Sequence, residues 1–129
     1  MTPAPRVLLV EDQALVALEF EALLLDLGCE IVGPYGRVED ALAAARIEPL
    51  AGAILDVTLA GESSFPVAYC LKDREIPFFF VTGLSSSALP GALQDVACLA
   101  KPIRTRSFLD EVRRFVPAAC EARSAAGAD

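Results

Sequence analysis

Hydrophobic and polar positions fall in alternating blocks along the chain. Five compact apolar runs, Arg6 to Val10, Glu30 to Pro34, Ala53 to Asp56, Phe78 to Thr82 and Ala97 to Lys101, are rich in Val, Ile, Leu or Phe. Near-continuous hydrophobicity is what parallel strands buried on both faces require, so each run predicts a strand. The segments between them read as helices. Val38, Ala41, Leu42 and Ala45 recur at helical spacing before Pro49, and Ser64, Phe65 and Pro66 open a further helix bounded by Pro77. A Ser64 hydroxyl would cap free N–H groups there, and proline is tolerated in a first turn. Near the C-terminus Thr105 is the expected N-cap of a helix with the stripe Phe108, Leu109, Val112, Phe115 and Val116. Arg113 and Arg114 sit at its end, where the helix dipole favours cations. Before the fifth strand, Ser85 to Ser87 and Pro90-Gly91 leave room only for a short or irregular fourth helix. Strands alternating with helices predict the α/β class: a doubly wound five-stranded parallel sheet covered on both faces.

The first helix has an apolar surplus. Winding Ala14 to Leu27 at about 100° per residue places Leu15, Leu18, Ala22 and Leu25 on one arc and Val16, Phe20, Leu23, Leu24 and Leu27 on another. One arc can cover the sheet. The other fits either a helix buried on most sides or an exposed face for docking or for a homodimer. From Pro117 to Asp129 the chain turns alanine-rich and aperiodic, which predicts a frayed or disordered tail. The expected organisation is an extension over 1–5, one domain over 6–116 and a tail over 117–129, with no second domain.

Composition narrows the classes. A chain of 129 residues that is 54% hydrophobic and 22% charged has enough apolar surface for one core and is not intrinsically disordered. Its net charge of -7 argues against nucleic acid as a direct partner. The apolar runs stop well short of the ~18 residues a membrane-spanning helix needs, and Met1 to Arg6 lacks a signal-peptide core, so a cytoplasmic protein without membrane insertion is expected. Cys29, Cys70, Cys98 and Cys120 form no CxxC pair and read as free thiols. The chain contains no histidine, which removes histidine-based triads, histidine metal sites and a phosphohistidine of its own.

In a doubly wound sheet functional groups gather at the C-terminal ends of the strands. Glu11 and Asp12 follow the first strand, Asp56 ends the third, Thr82 ends the fourth and Lys101 ends the fifth. Singly each has an ordinary reading: Glu11 and Asp12 as helix caps, Thr82 as a turn residue, Lys101 as a surface charge. Together they make a site. Three crowded carboxylates drive at least one toward its neutral form unless a cation joins them. Oxygen ligands without histidine or thiolate suit Mg2+, which keeps waters and accepts a phosphate oxygen. The constellation reads as a phosphoryl-transfer site, with Asp56 as nucleophile, Lys101 and Thr82 on phosphoryl oxygens, and no general base because a carboxylate is already ionised.

The acidic pair after Val7-Leu8-Leu9-Val10, the Leu55-Asp56 strand end, Thr82-Gly83 and Lys101-Pro102 resemble the receiver domain of two-component response regulators, over essentially Arg6 to Val116. The resemblance implies the CheY-like (flavodoxin-like) strand order 2-1-3-4-5 and Asp56 as acceptor of a phosphoryl group from a kinase phosphohistidine. It also implies Mg2+ held by Asp12, Asp56 and the backbone carbonyl of Thr58, with Glu11 acting through water. Thr82 and Lys101 would sense the phosphoryl group, and the Lys101-Pro102 bond would be cis. Pro77 to Gly83 and Leu55 to Glu62, with the short interval from Thr82 to Lys101, look like the FAT GUY subclass. That subclass implies a stand-alone receiver working with a sensor histidine kinase of the HWE type or a histidine phosphotransfer protein. Leu84 and Ser85 replace the tyrosine and glycine usual in the subclass, and Cys98 replaces the aromatic switch residue of conventional receivers. Coupling through the loop from Ser85 to Leu93 is the resulting hypothesis. Cys98 itself reads as an inert packing residue, with redox sensing as the alternative.

Two other functions are compatible with parts of the pattern. A haloacid dehalogenase-like phosphatase shares the aspartate, threonine or serine, lysine and Mg2+, but has an acid two residues after the nucleophile, where this chain has Thr58. A phosphorylation-independent interaction module would not need the five intact groups.

Overall fold

The computed structural model describes residues 3–83 and 89–116. The tail over 117–129, Cys120, and Leu84 and Ser85 in the proposed coupling loop lie outside the described residues. In chain order the elements are β1 (Arg6–Val10), α1 (Ala14–Asp26), β2 (Glu30–Tyr35), α2 (Val38–Ile47), β3 (Gly52–Asp56), β4 (Thr58–Leu59), β5 (Glu62–Ser63), α3 (Phe65–Asp73), β6 (Phe78–Thr82), a 3-10 turn (Gly91–Leu93), β7 (Cys98–Ala100) and α4 (Thr105–Arg113). The main sheet is parallel and runs β2-β1-β3-β6-β7. This is order 2-1-3-4-5 once the small β4–β5 hairpin is set aside. The five expected strands all form, within two residues of their expected ends.

Successive side chains of a strand point to opposite faces, and both faces here are dry. Leu8, Val10, Ala53, Leu55 and Phe80 pack with Ala41, Ala45, Val67 and Leu71 under α2 and α3. Val7, Leu9, Ile54, Phe79 and Val81 pack with Phe20, Leu24, Phe108 and Val112 under α1 and α4. Stacked rings of Phe20 and Phe108, 4.6 Å apart, and the edge-on pair Phe79 and Phe108, at 5.8 Å, tie both helices to β6. At the start of β3 a Cβ on Gly52 would lie 2.3 Å from the Phe115 ring, so a side chain there would displace the end of α4.

Two local expectations are corrected, and one element is added. Ser64 occupies the N-cap of α3, but its hydroxyl is fully buried and makes no hydrogen bond; Ser63 Oγ instead accepts the Phe65 N–H at 3.3 Å. Arg104, not Thr105, is the N-cap of α4, because its carbonyl already accepts the Phe108 N–H at 3.0 Å. The hairpin β4–β5 was not expected at all. Its turn, Ala60-Gly61, has both residues left-handed at φ 48° and 84°, the conformation that matches strand twist in two-residue hairpins.

The question posed by α1 has an answer. Phe20, Leu24 and Leu27 are buried, whereas Leu15, Leu18 and Leu25 are 78%, 59% and 55% exposed. The helix covers the sheet with one arc and presents the other to solvent. No helix among the described residues is long and apolar enough to cross a membrane.

Candidate functional site

Parallel strands deliver their C-terminal ends to one edge of the sheet, and the site is assembled there. Glu11 and Asp12 follow β1, Asp56 is the last residue of β3, Thr82 ends β6 and Lys101 follows β7. Oxygens of Glu11, Asp12 and Asp56 lie within 4.8 Å of one another. The Lys101 ammonium reaches into this group, 2.8 Å from Asp56 Oδ2, to which it donates, and 2.9 Å from Glu11 Oε1. The second contact is an ion pair whose angles fall short of a hydrogen bond, leaving the buried Oε1 without a hydrogen-bond partner. Thr82 is buried, and its carbonyl accepts the Lys101 N–H at 2.7 Å, which ties the two strand ends together. Thr58 opens the hairpin and donates its N–H to Asp56 Oδ1 at 3.3 Å. The Lys101-Pro102 peptide is cis, as is Gly33-Pro34, which no motif marks.

Charge and burial conflict in this arrangement. Burial pushes the Glu11 carboxyl from its ordinary 4.5 up to about 7; the pairing with Lys101 and the Gln13 N–H pull it back, and the Asp56 charge raises it again. Glu11 is thus the member of the acidic group driven toward its neutral form. Burial alone would lower the Lys101 ammonium, but Asp56 and Glu11 outweigh it and hold the group above its ordinary value. Burial, then the Asp56 charge, push the Cys98 thiol up, which keeps it unreactive and supports its reading as a packing residue. Cys29, Cys70 and Cys98 are not in disulfides. The all-oxygen donor set, with one buried carboxylate oxygen lacking a hydrogen-bond partner, fits a hard divalent cation.

Two contacts escaped the sequence reading. Gln13 Oε1 accepts a hydrogen bond from Lys101 Nζ at 3.0 Å, and Asp12 Oδ2 accepts one from the Ala60 N–H of the hairpin turn at 2.9 Å. Both link residues far apart in sequence, and neither residue type carries a signal of its own.

With this geometry in view, the relatives are informative. No family model matches the chain. It is 37% identical to SdrG from Sphingomonas melonis Fr1, whose solution structure superposes with a TM-score of 0.73 over 92% of this chain and 98% of SdrG. It is 34% identical to the phyllosphere-induced regulator PhyR of Methylorubrum extorquens over 105 residues, 78% of this chain and 39% of PhyR. The chain spans between 39% and 52% of the length of the curated relatives it matches. At 21% identity, the receiver domain of sensor histidine kinase PA1611 from Pseudomonas aeruginosa PAO1 shares the fold alone, with a TM-score of 0.71 over 89% of this chain and 99% of that one. That receiver holds a magnesium ion in its active-site cleft.

The fold and these relatives define a CheY-like receiver. The chain belongs to the response regulator receiver family of two-component signalling. Receiver domains are phosphoacceptors that exchange phosphoryl groups with histidine kinases or phosphotransfer proteins. The phosphatase alternative is not favoured, since Thr58 opens a hairpin and provides no acid two residues after Asp56.

Proposed function

We propose that Asp56 accepts a phosphoryl group from a phosphohistidine on another chain. The observation that carries this reading is the Lys101 ammonium 2.8 Å from Asp56 Oδ2, inside a cluster of three carboxylates at the strand ends. The Asp56 carboxylate attacks phosphorus without a general base, forming the P–O bond as the P–N bond to the donor imidazole breaks. Lys101 loses a charged partner when Asp56 becomes an acyl phosphate and turns to a phosphoryl oxygen. The Thr82 hydroxyl donates to another. Asp12, Asp56 and the Thr58 carbonyl, with Glu11 through water, would hold Mg2+, which would supply positive charge to offset that on the phosphoryl oxygens.

Acetyl phosphate or phosphoramidate with Mg2+ should modify the chain stoichiometrically, and Asp56→Ala should abolish the modification. Labelling of Asp56→Ala at unchanged stoichiometry would place the acceptor elsewhere. Sustained hydrolysis of unrelated phosphate esters would revive the phosphatase. Membership of the FAT GUY subclass is supported by Pro77 to Gly83, Leu55 to Glu62 and the short Thr82 to Lys101 interval. It points to a kinase of the HWE type as donor, with the exposed arc Leu15, Leu18 and Leu25 as the face for the histidine-bearing partner and a homodimer as its competing use. Phosphotransfer profiling against the candidate kinases and phosphotransfer proteins tests the assignment.

A further inference from the structure

Resting on the phosphoacceptor reading, we infer that Gln13 is a positioning residue that restrains Lys101 in the unphosphorylated state and is exchanged for a phosphoryl oxygen. An ammonium has three N–H donors. Here Nζ faces three acceptor oxygens of this chain: Asp56 Oδ2 at 2.8 Å, Glu11 Oε1 at 2.9 Å and Gln13 Oε1 at 3.0 Å. When Asp56 becomes an acyl phosphate, Nζ turns from Oδ2 toward a phosphoryl oxygen, and a contact that held it in the unphosphorylated position must give way. Glu11 Oε1 also holds the ammonium by ion-pair attraction, which a neutral amide does not supply. The amide of Gln13 is the neutral acceptor, so it yields.

Gln13 is also the N-cap of α1, yet its side chain makes no capping hydrogen bond. A residue in this position ordinarily spends its side chain on the free N–H groups of the first turn. Gln13 spends it on Lys101, 88 positions away. Its backbone N–H meanwhile donates to Glu11 Oε2 at 3.0 Å. Release of the amide therefore frees the residue from which α1 starts, next to the exposed Leu15. This gives the site a route to the α1 surface that needs no aromatic at Cys98.

The exchange predicts an asymmetry between the two directions of the reaction. The hydrogen bond to Gln13 is present before phosphorylation and absent afterwards. Gln13→Met, nearly isosteric but without the amide, and Gln13→Asn, one methylene too short to reach, should each speed phosphorylation by acetyl phosphate, by about three- to tenfold. Both should leave the rate of phosphoryl loss and the Mg2+ dissociation constant unchanged. Beryllofluoride should shift the Gln13 side-chain amide and the first α1 amides in the NMR spectrum of the unaltered chain. A forward rate of Gln13→Met equal to that of the unaltered chain, or forward and reverse rates moving together, would overturn the inference while leaving Asp56 as acceptor. Failure of the unaltered chain to take a phosphoryl group at all would instead remove the underlying reading, and this inference with it.

Discussion

The two ends of the sheet hold similar charges in different media. At the N-terminal end Arg6 pairs with Glu30 at 2.6 Å and Glu48 at 3.1 Å, and all three side chains are at least 30% exposed. At the C-terminal end Lys101 pairs with Asp56 and Glu11, whose side chains are 8% and 0% exposed. Each cation serves more than one carboxylate, so both ends carry an excess of negative charge. In water the excess is screened and costs little. Behind the rim of the sheet it cannot be screened, and the protein answers by holding Glu11 close to neutrality. The same inventory is therefore structural decoration at one end and a poised site at the other, with burial as the deciding variable.

The sharpest way to break this comparison is to remove the buried cation. Lys101→Met leaves Glu11 and Asp56 without their partner and should destabilise the metal-free chain by about 2 to 3 kcal/mol, trimmed from the usual buried-pair loss because Glu11 can take a proton. Urea denaturation in EDTA measures it, and a loss too small to resolve would mean that the two carboxylates are already solvated.

A smaller effect concerns pH. The folded chain keeps the Glu11 proton to about 7, while an ordinary carboxyl releases it near 4.5, so the contribution is fully present below 4.5 and is lost as pH rises through 7. The metal-free denaturation midpoint should fall across that window, and Glu11→Gln should flatten the fall. A slope that survives in Glu11→Gln would assign it to another group. Mg2+ should also flatten it, because the cation favours the ionised carboxylate.

The smallest effect belongs to the other end. Arg6→Ala should leave the midpoint unmoved at moderate salt, since the pairs it breaks are solvated. A clear loss there would erase the contrast between the two ends.

The strands were legible because burial on both faces turns them into unbroken apolar runs, and the strand ends were legible because topology sends loops to one edge. Glu11, Asp12, Asp56, Thr82 and Lys101 could be read together for that reason. The pattern of α1 could not say which arc was wet, since Leu18 and Leu24 look alike until the neighbours are placed. The cap at Thr105 was misassigned by one residue, and Ser64, although it is the N-cap of α3, leaves the hydrogen bond to Ser63, because serine and threonine accept hydrogen bonds equally well one position to either side of a helix start. The hairpin from Thr58 to Ser63 was hidden because two-residue strands show no period and Ala60-Gly61 lacks the usual asparagine or aspartate. Gln13 was hidden because its partner lies across the site.

That hairpin also constrains how the chain can diverge. Surface loops ordinarily accept insertions and deletions at little cost, because closing a slightly longer loop is cheap. Here the Thr58 N–H is held by Asp56 and the Ala60 N–H by Asp12, with a turn of two left-handed residues setting the distance between them. One residue added or removed between Thr58 and Ala60 would unhook the Ala60 N–H from Asp12, so this stretch should vary in side chains but not in length.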